Sequence, residues 1–212
     1  MKIIEPSYEI ITPISKGGIE ELKNIERIGR TCYKSEDKIA DDGSSAMKFV
    51  RMLIRNGHES VIEHGNLTVR FTVDRGITHE IVRHRIAAYS QESTRYCNYS
   101  KGKFGSEITV IRPYFLEENS LGYNVWEYSC ETAENAYISM LNNGYKPEEA
   151  RGVLPTSLAA DLVMTANYRE WRHFLKLRCS KEAHPQIRQI AVPLLQELQD
   201  SIPVMFEGID YV

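Results

Sequence analysis

The stretch NLTVRFTVDRGITHEIVRHR, Asn66 to Arg85, carries a strand pattern and a helix pattern back to back, so any fold for the chain has to hold both. In its first half Leu67, Val69, Phe71 and Val73 alternate with Thr68, Arg70, Thr72 and Asp74. That is the two-residue period of a half-buried strand, with Gly76 marking a closing turn. In the second half Ile77, Ile81, Val82 and Ile86 return to helical spacing.

Outward toward the N-terminus, SSAMKFVRMLIRNGH predicts a helix capped at Ser44 or Ser45, with Met47, Val50, Leu53 and Ile54 as its apolar face and Gly57 as its stop. Before it, GIEELKNIERIGRTCY sets Ile19, Leu22, Ile25 and Ile28 at helical spacing. IIEPSYEIITPI reads as one or two short strands broken at Pro6 and Pro13. Outward toward the C-terminus, Ala88 to Phe104 is polar and turn-rich, a long loop of the kind that often carries function. SEITVIRPY is a second strand candidate. The back half then reads as helical. VWEYSCETAENAYISMLNNG ends at Gly144, and KPEEARGVLP has Pro147 in its first turn. TSLAADLVMTANYREWRHFLKLRC is one long amphipathic helix or two with a break near Asn167. HPQIRQIAVPLLQELQDSIPVMF is kinked or split at Pro193.

The 212 residues fit a single domain, 1–212, which at this size buries about 70% of its unfolded surface and needs no disulfide or metal staple. A formal charge of −3 excludes a general nucleic-acid binder, so any positive site is local. Cys32, Cys97, Cys130 and Cys179 form no CxxC pair, and MKIIEPSYEI has no secretory pattern. Reduced thiols in a cytoplasmic protein are therefore expected. No apolar run approaches the roughly 20 residues that span a bilayer, which predicts a soluble chain with no membrane partner.

The chain has no GxGxxG after a strand, no GxxxxGK[ST] loop and no GxSxG elbow. HEIVRH fails as a zinc helix because Arg83 stands where the second histidine of HExxH is needed, and the six-residue spacing in HESVIEH fits no common zinc pattern. No metal site is expected. What stands out is RHRIAAYSQESTRY, Arg83 to Tyr96. If Arg83 and Arg85 lie on a helix they point about 200° apart. One small anion cannot use both, so either one is a surface residue or the two serve different ligands or subunits. Further on, in extended chain, Ser93 and Arg95 share a side, and a hydroxyl with a guanidinium suits one phosphate. The plain alternative is a solvated, arginine-rich helix end. Against it, no lysine falls between Lys48 and Lys101 while seven arginines do, and Tyr89, Tyr96 and Tyr99 can stack on a planar ring. Arg151, Arg169, Arg172 and Arg178 form a second set, each of which also fits a helix-dipole partner. Cys97 beside Arg95 is a weaker candidate, since no histidine base follows it nearby.

These residues resemble a known family. RHR, then seven residues, then Ser93 is similar to the signature of the flavin-dependent thymidylate synthases. The fuller pattern, RHRxxSxNExSxRY, is met at Ser93, Arg95 and Tyr96. It is departed from at Ala88, Ser90 and Gln91, with Glu92 adjacent. HESVIEH, EEARGVLP and TANYREWRHFLKLR resemble further family segments in the family's order, from His58 to Arg178.

The resemblance implies an α/β (α+β) fold, an antiparallel sheet surrounded by helices. It implies an enzyme that converts dUMP to dTMP with methylenetetrahydrofolate as carbon donor, FAD as cofactor and NADPH as reductant. It also implies a homotetramer whose flavin and nucleotide sites are shared between subunits, which would let Arg83 and Arg85 serve different sites. Flavin positions by resemblance are His58, Ser60, Arg83, His84, Arg85, Gln91, Asn167, Tyr168, Arg169 and His173, the last replacing a frequent asparagine. The dUMP positions are Glu80, Ile81, Val82, Arg83, Gln91, Glu92, Ser93, Thr94, Arg95, Arg151 and Arg178. Because uracil C5 must act as a carbon nucleophile, negative charge builds on the ring, and an arginine at that edge stabilises it. Family resemblance gives this catalytic role to Arg178. Ser93 lacks an adjacent base and is assigned to holding dUMP. The rival reading is a noncatalytic flavin- or nucleotide-binding protein.

Overall fold

The computed structural model describes residues 1–102 and 105–211. Among these residues, six strands and eight α-helices follow one another: β1 (Lys2–Ile4), β2 (Ser7–Ile10), α1 (Ile19–Arg30), α2 (Ser44–Arg55), β3 (Asn66–Asp74), α3 (Arg75–Ile81), β4 (Ala87–Gln91) and β5 (Thr109–Ile111). Then come α4 (Leu121–Asn142), α5 (Pro147–Ala150), β6 (Ala159–Asn167), α6 (Tyr168–Arg178), α7 (Pro185–Ser201) and α8 (Pro203–Phe206), with short 3-10 turns between, one of them Glu59–His64. A four-stranded sheet has the order β2-β3-β6-β4, and β1 pairs with β5 in parallel. The larger sheet is antiparallel, as expected. Its side-chain pairs run in opposite directions along neighbouring strands: Arg70 with Glu9, Thr68 with Thr165, Thr72 with Asp161.

The chain forms two compact units. The first is Met1–Ser7, Phe71–Arg83 and Tyr89–Val163; the second is Tyr8–Arg70, His84–Ala88 and Met164–Val212. The first has its own core of Tyr99, Ile108, Val110, Cys130, Tyr137, Ala150 and Leu158. In the second, Leu22 and Ile25 of α1, Val50 and Leu53 of α2, Trp171, Phe174 and Leu175 of α6, and Leu194, Leu195 and Leu198 of α7 are all fully buried. The Trp171 indole N–H donates to the Leu67 carbonyl at 2.9 Å, so its one polar atom is satisfied inside that core.

Several expectations change against this framework. The strand Asn66–Asp74 forms as predicted, with Leu67, Val69, Phe71 and Val73 buried, yet no turn follows at Gly76. Asp74 instead caps α3, its carboxylate accepting from Ile77 N at 3.0 Å, and the helix starts at once. That helix stops at Ile81, so Arg83 and Arg85 lie on no helix and the 200° argument does not apply to them. Residues 88–91 of the predicted loop form, with Ala87, edge strand β4. The far end of that predicted loop, Phe104, lies outside the described residues.

The largest revision is 159–167, predicted as helix and found as β6. Ala160, Leu162, Met164 and Ala166 are buried in strict alternation, and pairing against β3 and β4 outweighs the helix preference of Ala, Leu and Met. The break at Asn167 is real: it ends the strand and caps α6. Helix α2 is capped by Gly43 in the left-handed region, not by a serine. Ser45 is occupied elsewhere, donating to Glu26 at 2.8 Å and accepting from Ala40 N. Glu26 is fully buried and also holds Arg30 at 2.6 Å, so the polar group that the sequence offers as a cap joins α1 to α2. The buried face of α2 is Ala46, Phe49, Val50 and Leu53, one residue out of phase at Met47, which is exposed. Pro193 sits inside α7 without splitting it.

Candidate functional site

In the second unit the site is built on α6 and the segment that leaves α3. Asn167 Oδ1 accepts from Glu170 N at 2.9 Å, which fixes the first turn of α6. Glu170 is therefore held at its backbone before its side chain makes any contact. Just after α3, Arg83 N turns in to Glu80 O at 3.3 Å and the Tyr89 hydroxyl takes the Ile81 carbonyl at 3.0 Å, which ends the helix. His84, released from helical geometry, is only 4% exposed, with its ring 4.9 Å from Phe174 and 5.4 Å from His173.

Both nitrogens of that ring are engaged. Nδ1 lies 3.0 Å from Glu170 Oε1, and Nε2 accepts from Arg178 Nε at 3.1 Å. A guanidinium has donors only, so Nε2 must be the bare nitrogen and Nδ1–H donates to the carboxylate. Burial holds the His84 pKa below its ordinary value; Glu170 opposes this and the positive charge of Arg178 reinforces it. The ligand atoms of His84, Glu170 and His173 fall within 4.8 Å of one another; of these, Glu170 and His84 are hydrogen-bonded, and His84 in turn accepts from Arg178.

Two cavities in the same unit share Glu59 and Arg169. One, of about 480 Å³, is lined by Glu63, Ile86, Asn167, Glu170, Arg172, His173 and Lys176 besides the shared pair. The other, of about 450 Å³, is lined by Cys32, Tyr33, Gly57, His58, Ser60 and Val61 among others. Thus His58, Ser60, Asn167, Arg169 and His173, scattered over more than a hundred residues, line neighbouring cavities. Arg169 donates to Glu63 at 2.6 Å, while buried Arg172 points inward to the Met205 carbonyl and serves the core. The Tyr168 ring is buried against Phe206 and lies under Gly65, so its side chain is a packing group. Arg85 is exposed.

In the first unit the resemblance-derived nucleotide positions follow the edge strand. Gln91 Nε2 donates to Thr78 Oγ1 at 3.0 Å. Glu92 is anchored on every side. Its amide donates to Asp161 O at 2.8 Å, its carbonyl accepts from Arg75 at 3.0 Å, and its carboxylate accepts from the Tyr99 hydroxyl at 2.7 Å. Burial, then this carboxylate, pushes the Tyr99 pKa up. The chain next turns, so Ser93 and Arg95 do not lie in the extended chain expected and the shared strand side is lost: Ser93 O accepts from Tyr96 N and Cys97 N, and Ser93 Oγ from Arg95 N at 3.3 Å. Thr94 is buried, while Arg95 is exposed and lies over the Tyr96 ring at 5.2 Å. Arg83 and Arg151 are exposed, Glu80 and Val82 are half-buried, and Ile81 is fully buried.

The model of the thymidylate synthase complementing protein family, Thy1, matches residues 19–204. The chain belongs to the flavin-dependent thymidylate synthases. Relatives of that name include one from Mycolicibacterium vanbaalenii, 31% identical, covering 89% of this chain and 79% of its own. Another, from Geobacter sulfurreducens, is 32% identical over 84% and 77%. Among solved structures, the crystal structure of the UMP/dUMP methylase PolB from Streptomyces cacaoi bound with 5-Br dUMP is similar in fold. It has a TM-score of 0.78, 24% identity, and coverage of 98% of this chain and 96% of that one.

The sequence reading did not single out Glu170, Lys176, Glu59 and Glu63, which line the same cavity as Asn167, Arg169 and His173. A carboxylate three residues after a helix cap is an ordinary first-turn residue, and nothing in the sequence links Glu170 to a histidine 86 positions earlier.

Proposed function

We propose that this chain methylates dUMP reductively to dTMP, with methylenetetrahydrofolate as carbon donor and NADPH as reductant, as a homotetramer in the cytoplasm whose residues 1–212 work as one domain. The observation that carries the reading is the Glu170, His84, Arg178 chain, which fixes a guanidinium by its Nε. The cavity-lining donors fit FAD: Arg169 and Lys176 suit phosphate oxygens, Asn167 and Ser60 offer hydrogen bonds, and Ile86, 70% exposed, offers an apolar face. His58, Ser60, His84, Arg85, Asn167, Arg169 and His173, with Arg83 and Gln91, are the groups assigned to hold it; the Tyr168 ring is buried and its amide donates to Gly65 O, so Tyr168 is left out of this set. FAD held by these groups would supply the electron transfer from NADPH that the reductive methylation needs.

The protein's own contribution is binding and polarisation. Ser93 and Arg95 bind the dUMP phosphate, the guanidinium bidentately. Arg151, Thr94 and the backbone around Glu80, Ile81, Val82 and Glu92 hold the nucleotide. Arg178 faces the uracil carbonyl edge, where donors aimed at developing charge lower the barrier most. Purified protein should be yellow and oxidise NADPH only when dUMP is present. A colourless protein inactive even with added FAD would leave only noncatalytic nucleotide binding.

A further inference from the structure

We propose that Glu170 is a positioning residue for Arg178, acting through His84; this rests on the reading of Arg178 given above. A neutral imidazole has two tautomers, and the partner at one nitrogen decides what the other can do. Glu170 is 8% exposed, its backbone N–H is held by Asn167, and its Oε1 stands 3.0 Å from His84 Nδ1. The carboxylate can only accept, so it selects the Nδ1–H form and leaves a lone pair on Nε2. That lone pair receives Arg178 Nε–H at 3.1 Å.

In the other tautomer Nε2–H would face Nε–H across the same gap, and the guanidinium would have to swing away. With Nε held by His84, the plane of the Arg178 guanidinium is set by the orientation of the ring. Glu170, His173, Phe174 and Arg178, which face His84, all stand on α6, so the acid, the ring's neighbours and the arginine share one rigid helix. The logic is that of a buried acid holding a histidine in its working tautomer in a hydrolase triad, here with an arginine as the group positioned.

The test is the 15N spectrum of histidine-labelled full-length protein, with the His84 signals assigned by comparison with His84→Gln. Wild type should show a protonated Nδ1 and a bare Nε2. Glu170→Ala should move the proton to Nε2 and lower kcat by about 10- to 100-fold, the scale of lost outer-shell orientation. KM for dUMP and flavin absorbance should stay nearly unchanged. Glu170→Gln keeps an acceptor and should restore both tautomer and turnover to within a few-fold. A protonated Nε2 in wild type overturns the proposal whether or not the alanine variant folds, as does an unchanged tautomer or kcat in Glu170→Ala. Full turnover by Arg178→Ala would instead overturn the reading of Arg178, leaving the tautomer result standing.

Discussion

The two units hold their site residues in opposite ways. In the second, His84 and Glu170 are buried, both ring nitrogens are used, and the chain of contacts ends on half-buried Arg178. In the first, Arg95 and Arg151 are exposed, and the residue that is anchored on all sides is Glu92. A group that must meet charge only as it develops gains from being fixed beforehand, because no reorganisation is then needed during the reaction. A group that binds a phosphate present throughout contributes equally to ground and transition state, so loss of exposed Arg95 costs affinity but little rate.

The largest effect that would break this contrast is at Arg178. Arg178→Ala should lower kcat for dTMP formation by at least about 10²- to 10³-fold, while the flavin spectrum of the purified protein stays that of wild type. Next, Arg95→Ala should raise KM for dUMP by about 10- to 100-fold, as loss of a charge-assisted phosphate contact does, with kcat nearly intact. A fall in kcat alone would erase the distinction between the units.

The buried histidine gives a pH signature that the exposed loop lacks. Its folded pKa lies below the ordinary 6.5, so as pH falls through that value the unfolded chain takes up the proton first. Stability present above about pH 6.5 is lost below it. Urea midpoints at pH 8 and 5.5 should therefore differ more for wild type than for His84→Gln. Smaller still, Asn167→Ala should cost about 1 kcal/mol of unfolding free energy by removing the cap of α6. Cys97→Ala should leave turnover almost unchanged, since no base lies beside that thiol in the sequence reading.

What was legible in the sequence follows the same division. The alternation from Leu67 to Val73 showed β3, because that strand has one buried and one wet face. The alternation from Ala160 to Ala166 was hidden by residues that also favour helix, and only its partners β3 and β4 make it a strand. Asn167, Arg169, His173 and Arg178 could be marked from a linear pattern because they lie on one helix start and its length. Glu170 could not, since its role comes from a histidine brought to it by the fold. Likewise, the sequence offered Ser44 or Ser45 as a cap and could not show that Glu26 claims the Ser45 hydroxyl.

The most direct measurement is a turnover assay with methylenetetrahydrofolate labelled at its one-carbon unit, using the full chain with FAD, NADPH and dUMP. Mass spectrometry should find dTMP carrying the label on its 5-methyl group, formed in step with NADPH oxidation and absent when dUMP is omitted. Binding of dUMP and flavin without any labelled dTMP would contradict the assignment and leave a protein that holds these ligands without joining them.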